Sequence, residues 1–139
     1  MEIKKVPEWE NKAKEYFNSG YNCSESVFKT ILEYKGENTN ENLNMATGFG
    51  GGMGRTGYTC GVVTGAVLAL NYFYGRKGPE EDKLACYEKV NLFIEEYNKK
   101  FGGINCTKYG YGKNSEQEDF DCDEYVGYAV KITINIIEK

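Results

Sequence analysis

A glycine-rich stretch that runs into a cysteine constrains this chain more than any other feature of its sequence. Six of the ten residues from 48 to 57 are glycine, and Cys60 follows just before an apolar run from Val62 to Tyr74. Glycine loses more backbone freedom on folding than any other residue, so such a stretch is costly unless the backbone adopts positive φ or approaches another group closely. The pattern therefore predicts a tight glycine loop that leads into the N-terminus of a central helix.

Cys60 is predicted at the start of that helix. Unpaired backbone N–H groups and the helix dipole stabilise negative charge there, so we expect the pKa of this thiol to be lowered. The loop lacks the Gly-Lys-Ser/Thr ending of a phosphate-binding loop, and nucleotide binding therefore has little support. Arg55 within the loop is interpreted as a solvated arginine.

Length and charge limit the classes of protein that fit the chain. A length of 139 residues predicts a single domain spanning 1–139. The net charge is −4, and acidic and basic residues are mixed along the chain, which argues against a nucleic-acid partner. No window approaches the roughly 20 apolar residues of a membrane span, and the N-terminus has no apolar signal region. We therefore expect a cytoplasmic protein, in which five cysteines indicate metal or redox chemistry rather than a disulfide scaffold.

The chain contains no histidine, which excludes several common kinds of site. Ser–His and Cys–His nucleophile pairs, imidazole-ligated zinc and histidine-ligated haem are all ruled out. No Cys-x-x-Cys pair occurs either, so a thioredoxin-like motif and c-type haem attachment are absent. Cysteine is therefore the leading candidate to carry any chemistry.

The spacing of apolar residues predicts an all-α domain, a compact bundle of five or six helices. The last segment also alternates like a strand, but a lone terminal strand would lack a partner, so we expect a helix. A polar loop is predicted from Tyr109 to Phe120. The predicted helices cover residues 4–18, 22–35, a short stretch at 43–46, 59–74, 79–101 and 125–137.

Four of the five cysteines directly follow a residue that commonly caps helices, and each is predicted at the first position of a helix. Helix N-termini that converge on one spot would stabilise bound thiolates, although spacing alone equally allows four unrelated buried thiols. Cys86, which follows Ala85, is predicted in mid-helix as a small packed residue. The four pairs are Asn22–Cys23, Thr59–Cys60, Asn105–Cys106 and Asp121–Cys122.

The stretch from Ala46 to Arg55, followed by Cys60 to Gly65, resembles the C_GCAxxG_C_C family of putative redox-active proteins. The resemblance runs from about residue 19 to the C-terminus, and Val62 stands where the motif has alanine. It implies a mostly helical domain with a redox role, related to the non-haem part of split-Soret cytochromes, whose cysteines are thought to hold an iron–sulfur cluster. It implies no substrate. The four family cysteines correspond here to Cys23, Cys60, Cys106 and Cys122.

The first hypothesis for function is an iron–sulfur protein that serves electron transfer or redox sensing with an unknown redox partner. Four thiolates are the usual ligand set of such clusters. Backbone groups of Gly51, Gly52 and Gly54 are candidates for hydrogen bonds to cluster sulfurs. The metal ligands would be Cys23, Cys60, Cys106 and Cys122.

Three alternatives remain open from the residues alone. Cys60 could be the catalytic thiol of a thiol–disulfide redox protein, with another of the four cysteines as its resolving partner. The same four thiols could hold a structural zinc ion. A helical interaction module without cofactor would use the small-residue stripe of Gly61, Gly65 and Ala69 for packing or homodimer formation. Tyrosines 58, 109 and 111 are expected near the site.

Overall fold

The structure is a computed structural model that describes residues 5–106 and 122–139. These residues form seven helices and no strand, with one isolated antiparallel bridge between Thr59 and Asn105. The all-α bundle is therefore confirmed, with five long helices and two single turns; the additional turn, α4, lies inside the predicted glycine loop. The helices are α1 (Val6–Asn18), α2 (Cys23–Tyr34), α3 (Asn44–Thr47), α4 (Gly50–Met53), α5 (Gly61–Tyr74), α6 (Leu84–Phe101) and α7 (Asp123–Ile137).

The start of α2 is determined by its local sequence. Asn22 Oδ1 accepts a hydrogen bond from the Glu25 N–H at 2.8 Å, and Glu25 Oε1 accepts one from the Asn22 N–H at 3.0 Å. This capping box satisfies two backbone donors at the helix start and makes Cys23 the first helical residue. The predicted position of Cys23 is therefore confirmed.

Helix α5 is the central helix, and its small residues let α2 approach it closely. A Cβ atom on Gly65 would lie 2.6 Å from the Ser24 carbonyl oxygen, and one on Gly61 would collide with Cys23 Sγ. The two helices therefore pack backbone to backbone where α2 and α5 begin. The remaining core comes from apolar side chains of α1, α2, α5, α6 and α7, with α1 packed against α7.

The predicted start of α6 differs from the structure. Helix α6 begins at Leu84 and not at Pro79, because local hydrogen bonds hold the preceding residues in turns. Asp82 Oδ1 accepts from the Leu84 N–H at 2.9 Å, and Glu81 Oε1 accepts from the Lys77 N–H at 2.8 Å.

Helix α7 confirms the choice of helix over strand for the last segment. The predicted loop from Tyr109 to Phe120 lies outside the described residues.

Within the described ranges, no helix is both long enough and apolar enough to cross a bilayer.

Candidate functional site

A cavity of about 400 Å³ lies at the end of the bundle where α2, α5 and α7 begin and where α1 and α6 end. All four cysteines predicted as ligands line this cavity, together with Gly51 of the glycine loop. Four aromatic side chains form much of the rest of its wall: Phe17, Tyr97, Phe101 and Tyr125.

Cys23 is a buried thiol that receives backbone hydrogen bonds. The N–H groups of Gly51 and Ser24 donate to its sulfur, which favours the thiolate. Burial works in the opposite direction and outweighs them, so the pKa of Cys23 is raised above its ordinary value. The charge of the neighbouring Cys106 adds to this rise.

Cys60 is the N-cap residue of α5 and not its first helical residue as predicted, because the helix begins at Gly61. Its backbone is extended, with φ −58° and ψ 137°, and its carbonyl accepts from the Val63 N–H at 3.0 Å. The predicted cap, Thr59, instead lies in the bridge to Asn105. The sulfur of Cys60 receives hydrogen bonds from the Val62 N–H and from the Tyr97 hydroxyl, the latter at 3.8 Å.

The expectation of a lowered pKa at Cys60 is wrong for the metal-free protein. The pKa of this thiol is raised to about 12, chiefly by burial, with smaller contributions from like-charge repulsion by the nearby thiols of Cys23 and Cys106. The helix N-terminus contributes only about 0.3–1 kcal/mol in exposed sites, which is too little to offset burial of a charge.

Cys106 is brought beside Cys60 by a short backbone pairing. The Cys60 N–H donates to the Ile104 carbonyl, and the Cys106 N–H donates to the Tyr58 carbonyl, both at 2.6 Å. Cys106 is buried and lies outside any helix in the structure, so the prediction that it occupies the first position of one is wrong for that residue. Residues 107–121 are not described.

Cys122 reaches the cavity from the start of α7. It occupies the N-cap position and not the first helical position that was predicted for it, because the helix itself begins at Asp123. Asp121, the predicted cap, lies outside the described residues.

The glycine loop contains a left-handed turn. Residues 51 to 55 all have positive φ, including the non-glycine residues Met53 (72°) and Arg55 (66°). L-residues adopt this conformation at a cost of about 1–2 kcal/mol each, so the turn stores strain of the kind that clusters at functional sites. Strain of this kind persists only when surrounding contacts hold it in place.

The three glycines predicted to contact a cofactor fall in different places. Gly51 lines the cavity, and Gly52 is buried behind Cys106, whose Cβ would lie 2.8 Å from a Cβ added at that glycine. Gly54 instead borders a separate surface pocket together with the exposed Arg55, and a Cβ there would meet nothing within 4 Å.

The aromatic wall of the cavity was missed by the sequence reasoning. Tyr97 and Phe101 belong to an apolar stripe of α6 that reads as ordinary core, and their spacing does not distinguish a cavity wall from packed interior. Tyr58, which was expected near the site, is 44% exposed and does not line the cavity. Tyr109 and Tyr111 lie outside the described residues.

Cys86 lies apart from the other cysteines. It is 7% exposed, borders a groove between α5 and α6, and donates from its sulfur to Asn71 Oδ1 at 3.3 Å. Burial raises its pKa. Cys86 is a small packed thiol as predicted, but it lies in the first turn of α6 and not in mid-helix, because α6 begins at Leu84.

The described side chains do not already surround a single metal ion. In residues 5–106 and 122–139, no three cysteine, aspartate or glutamate side chains gather closely enough to hold one. The four-thiolate zinc site left open by the sequence is therefore not formed in this arrangement. An iron–sulfur cluster distributes its thiolates over several iron atoms, so its ligands need not converge on one point.

The chain was compared with known proteins. The model of the family described as putative redox-active protein (C_GCAxxG_C_C) matches residues 21–136. An uncharacterized protein of Archaeoglobus fulgidus is 27% identical over 135 residues, which covers 89% of each chain. No solved structure matches. Because the family model spans most of the chain and the four thiols it is named for line one cavity, this protein belongs to the C_GCAxxG_C_C family of putative redox-active proteins.

Proposed function

We propose that this protein binds an iron–sulfur cluster through Cys23, Cys60, Cys106 and Cys122 and uses it for electron transfer or redox sensing. One observation carries the proposal. Four cysteines separated by up to about 100 residues line a single cavity, whereas the fifth, Cys86, lies in a different part of the bundle. Four thiolates are the usual ligand set of [2Fe–2S] and [4Fe–4S] clusters.

The backbone around the cavity supports this proposal. N–H groups of Gly51 and Ser24 donate to Cys23, and the N–H of Val62 donates to Cys60. Hydrogen bonds to sulfur ligands are among the main determinants of cluster potential. Gly51 is predicted to keep this role toward the bound cluster, as is Gly52 from its position behind Cys106, whereas Gly54 has no such position.

The protonation of the cavity thiols bears on how the proposed cluster would assemble. A bound cluster would supply one-electron transfer. Since burial raises the pKa of Cys23 and Cys60, both are protonated thiols in the metal-free protein at neutral pH. Ligand binding therefore requires loss of their protons, and cluster assembly is expected to become more favourable as the pH rises.

The thiol–disulfide alternative is less well supported. An attacking thiol near neutral pH requires a lowered pKa, and Cys60 has the opposite shift.

The proposal also takes residues 1–139 as one domain, since α1 and α7 from the two ends of the chain pack against each other.

The test is anaerobic purification followed by iron, acid-labile sulfide and zinc analysis, with a visible absorption spectrum. We expect iron with sulfide in the wild-type protein, lost in Cys60→Ser and retained in the matched control Cys86→Ser. Protein that stays free of iron after anaerobic reconstitution with iron and sulfide would exclude the cluster. Zinc in place of iron would favour the structural metal site.

A further inference from the structure

Tyr97 places a hydroxyl group at the base of the cavity. Its side chain is 1% exposed, and its ring stacks on Phe93 with centroids 5.7 Å apart and contacts Phe101 at 4.8 Å. These two contacts come from the preceding and following turns of α6 and hold the ring in one orientation. The hydroxyl donates to Cys60 Sγ at 3.8 Å. A buried hydroxyl requires an acceptor, and here the acceptor is a predicted cluster ligand.

We propose that Tyr97 is a positioning residue whose hydroxyl donates a hydrogen bond to the Cys60 sulfur in the cluster-loaded protein and raises the reduction potential of the cluster. This inference rests on the cluster proposed above. The Val62 N–H donor to Cys60 belongs to the helix start itself, whereas the Tyr97 donor comes from a side chain of α6. The hydroxyl can therefore be removed without altering the backbone around Cys60.

The direction of the effect follows from charge. Reduction adds an electron to the cluster and increases the negative charge on its thiolate ligands. A hydrogen-bond donor at one sulfur stabilises the reduced form more than the oxidised form, and the low dielectric of a buried site strengthens the interaction. Loss of the donor is therefore expected to lower the potential.

The test compares Tyr97→Phe, which keeps the ring and removes the hydroxyl, with the wild-type protein. We expect the ratio of reduced to oxidised cluster at a fixed potential to fall about fivefold, the order of one hydrogen bond. For a one-electron couple this corresponds to a potential about 40 mV lower. Resonance Raman spectra should show an iron–thiolate stretch moved to higher frequency, because the thiolate without its donor binds iron more strongly.

Tyr128→Phe is the matched control, since Tyr128 packs against Phe101 at 5.5 Å but does not line the cavity. It should leave both readouts unchanged. A loaded Tyr97→Phe protein with unchanged potential and Raman spectrum would overturn the role of Tyr97 and leave the cluster standing. A Tyr97→Phe protein that folds but loses iron would show a purely structural role and also overturn the inference. Iron-free wild-type protein would overturn both proposals.

Discussion

Cys60 and Cys86 are both thiols whose pKa is raised by burial, yet their surroundings differ in kind. Cys60 lies at a helix start, with a backbone donor, a tyrosine donor and two further thiols nearby. Cys86 lies in the first turn of α6, with Asn71 as its hydrogen-bond partner. Burial alone therefore does not distinguish the proposed ligand Cys60 from Cys86; the number of donors and thiols that surround each sulfur does.

The largest expected effect concerns the backbone that supports the cavity. Gly52→Ala should lower the free energy of unfolding by about 3 kcal/mol, for two reasons. The backbone φ of 76° at this position is strained for alanine, and the new Cβ would lie 2.7 Å from the Tyr58 nitrogen and 2.8 Å from Cys106 Cβ. Gly54→Ala, with a similar φ but open space around it, should cost about 1 kcal/mol. Urea unfolding of both variants measures the difference. Equal losses would show that crowding around Cys106 does not matter.

A smaller effect is expected at the starts of α2 and α6, which carry Cys23 and Cys86. Asn22→Ala removes the capping box next to Cys23 and should lower the free energy of unfolding by about 1 kcal/mol. Lys83→Ala, at the uncapped start of the Cys86 helix, should change it by less than about 0.5 kcal/mol. Thermal unfolding of the two variants side by side gives the comparison. A Lys83 effect as large as that of Asn22 would contradict it.

An effect of similar size is expected in the pH dependence of stability of the metal-free protein. The folded pKa of Cys60, about 12, exceeds that of the unfolded chain, so its contribution to stability is complete below about pH 9 and is lost as the pH rises toward 12. From pH 8 to pH 10 this loss should be about 1 kcal/mol. Urea unfolding at both pH values should show that the free energy of unfolding falls less between pH 8 and pH 10 in Cys60→Ser than in Cys86→Ser. Identical slopes in the two variants would show that the two thiols are equally perturbed.

Local sequence patterns predicted much of the fold for physical reasons that act within a few residues. The capping box at Asn22 and Glu25 determines where α2 begins. The last segment, whose spacing fits a strand as well as a helix, was predicted as a helix because a lone strand would lack a partner, and it is helical. The start of α6 was predicted wrongly at Pro79, because hydrogen bonds of Glu81 and Asp82 compete with helix formation there. Such competition depends on side-chain geometry that composition does not reveal.

The candidate site could be predicted only in part. The four cysteines were identified from their capping residues and from the family resemblance, but Cys60 and Cys122 are themselves N-cap residues, each one position before its helix. Tyr97 was assigned to the core, because a residue on an apolar stripe has the same spacing whether it faces packed interior or a cavity. The left-handed φ values of Met53 and Arg55 were not foreseen, since L-residues normally avoid them.

By itself, the sequence determined the helical class of this protein, the glycine breaks between helices and the cysteines that could carry chemistry, because periodicity, capping and backbone freedom are local properties. Only the tertiary structure decided that four of the five cysteines line one cavity, that Tyr97 donates to Cys60 and that burial raises the pKa of Cys23 and Cys60. These outcomes depend on which helix ends meet and on how much water they exclude.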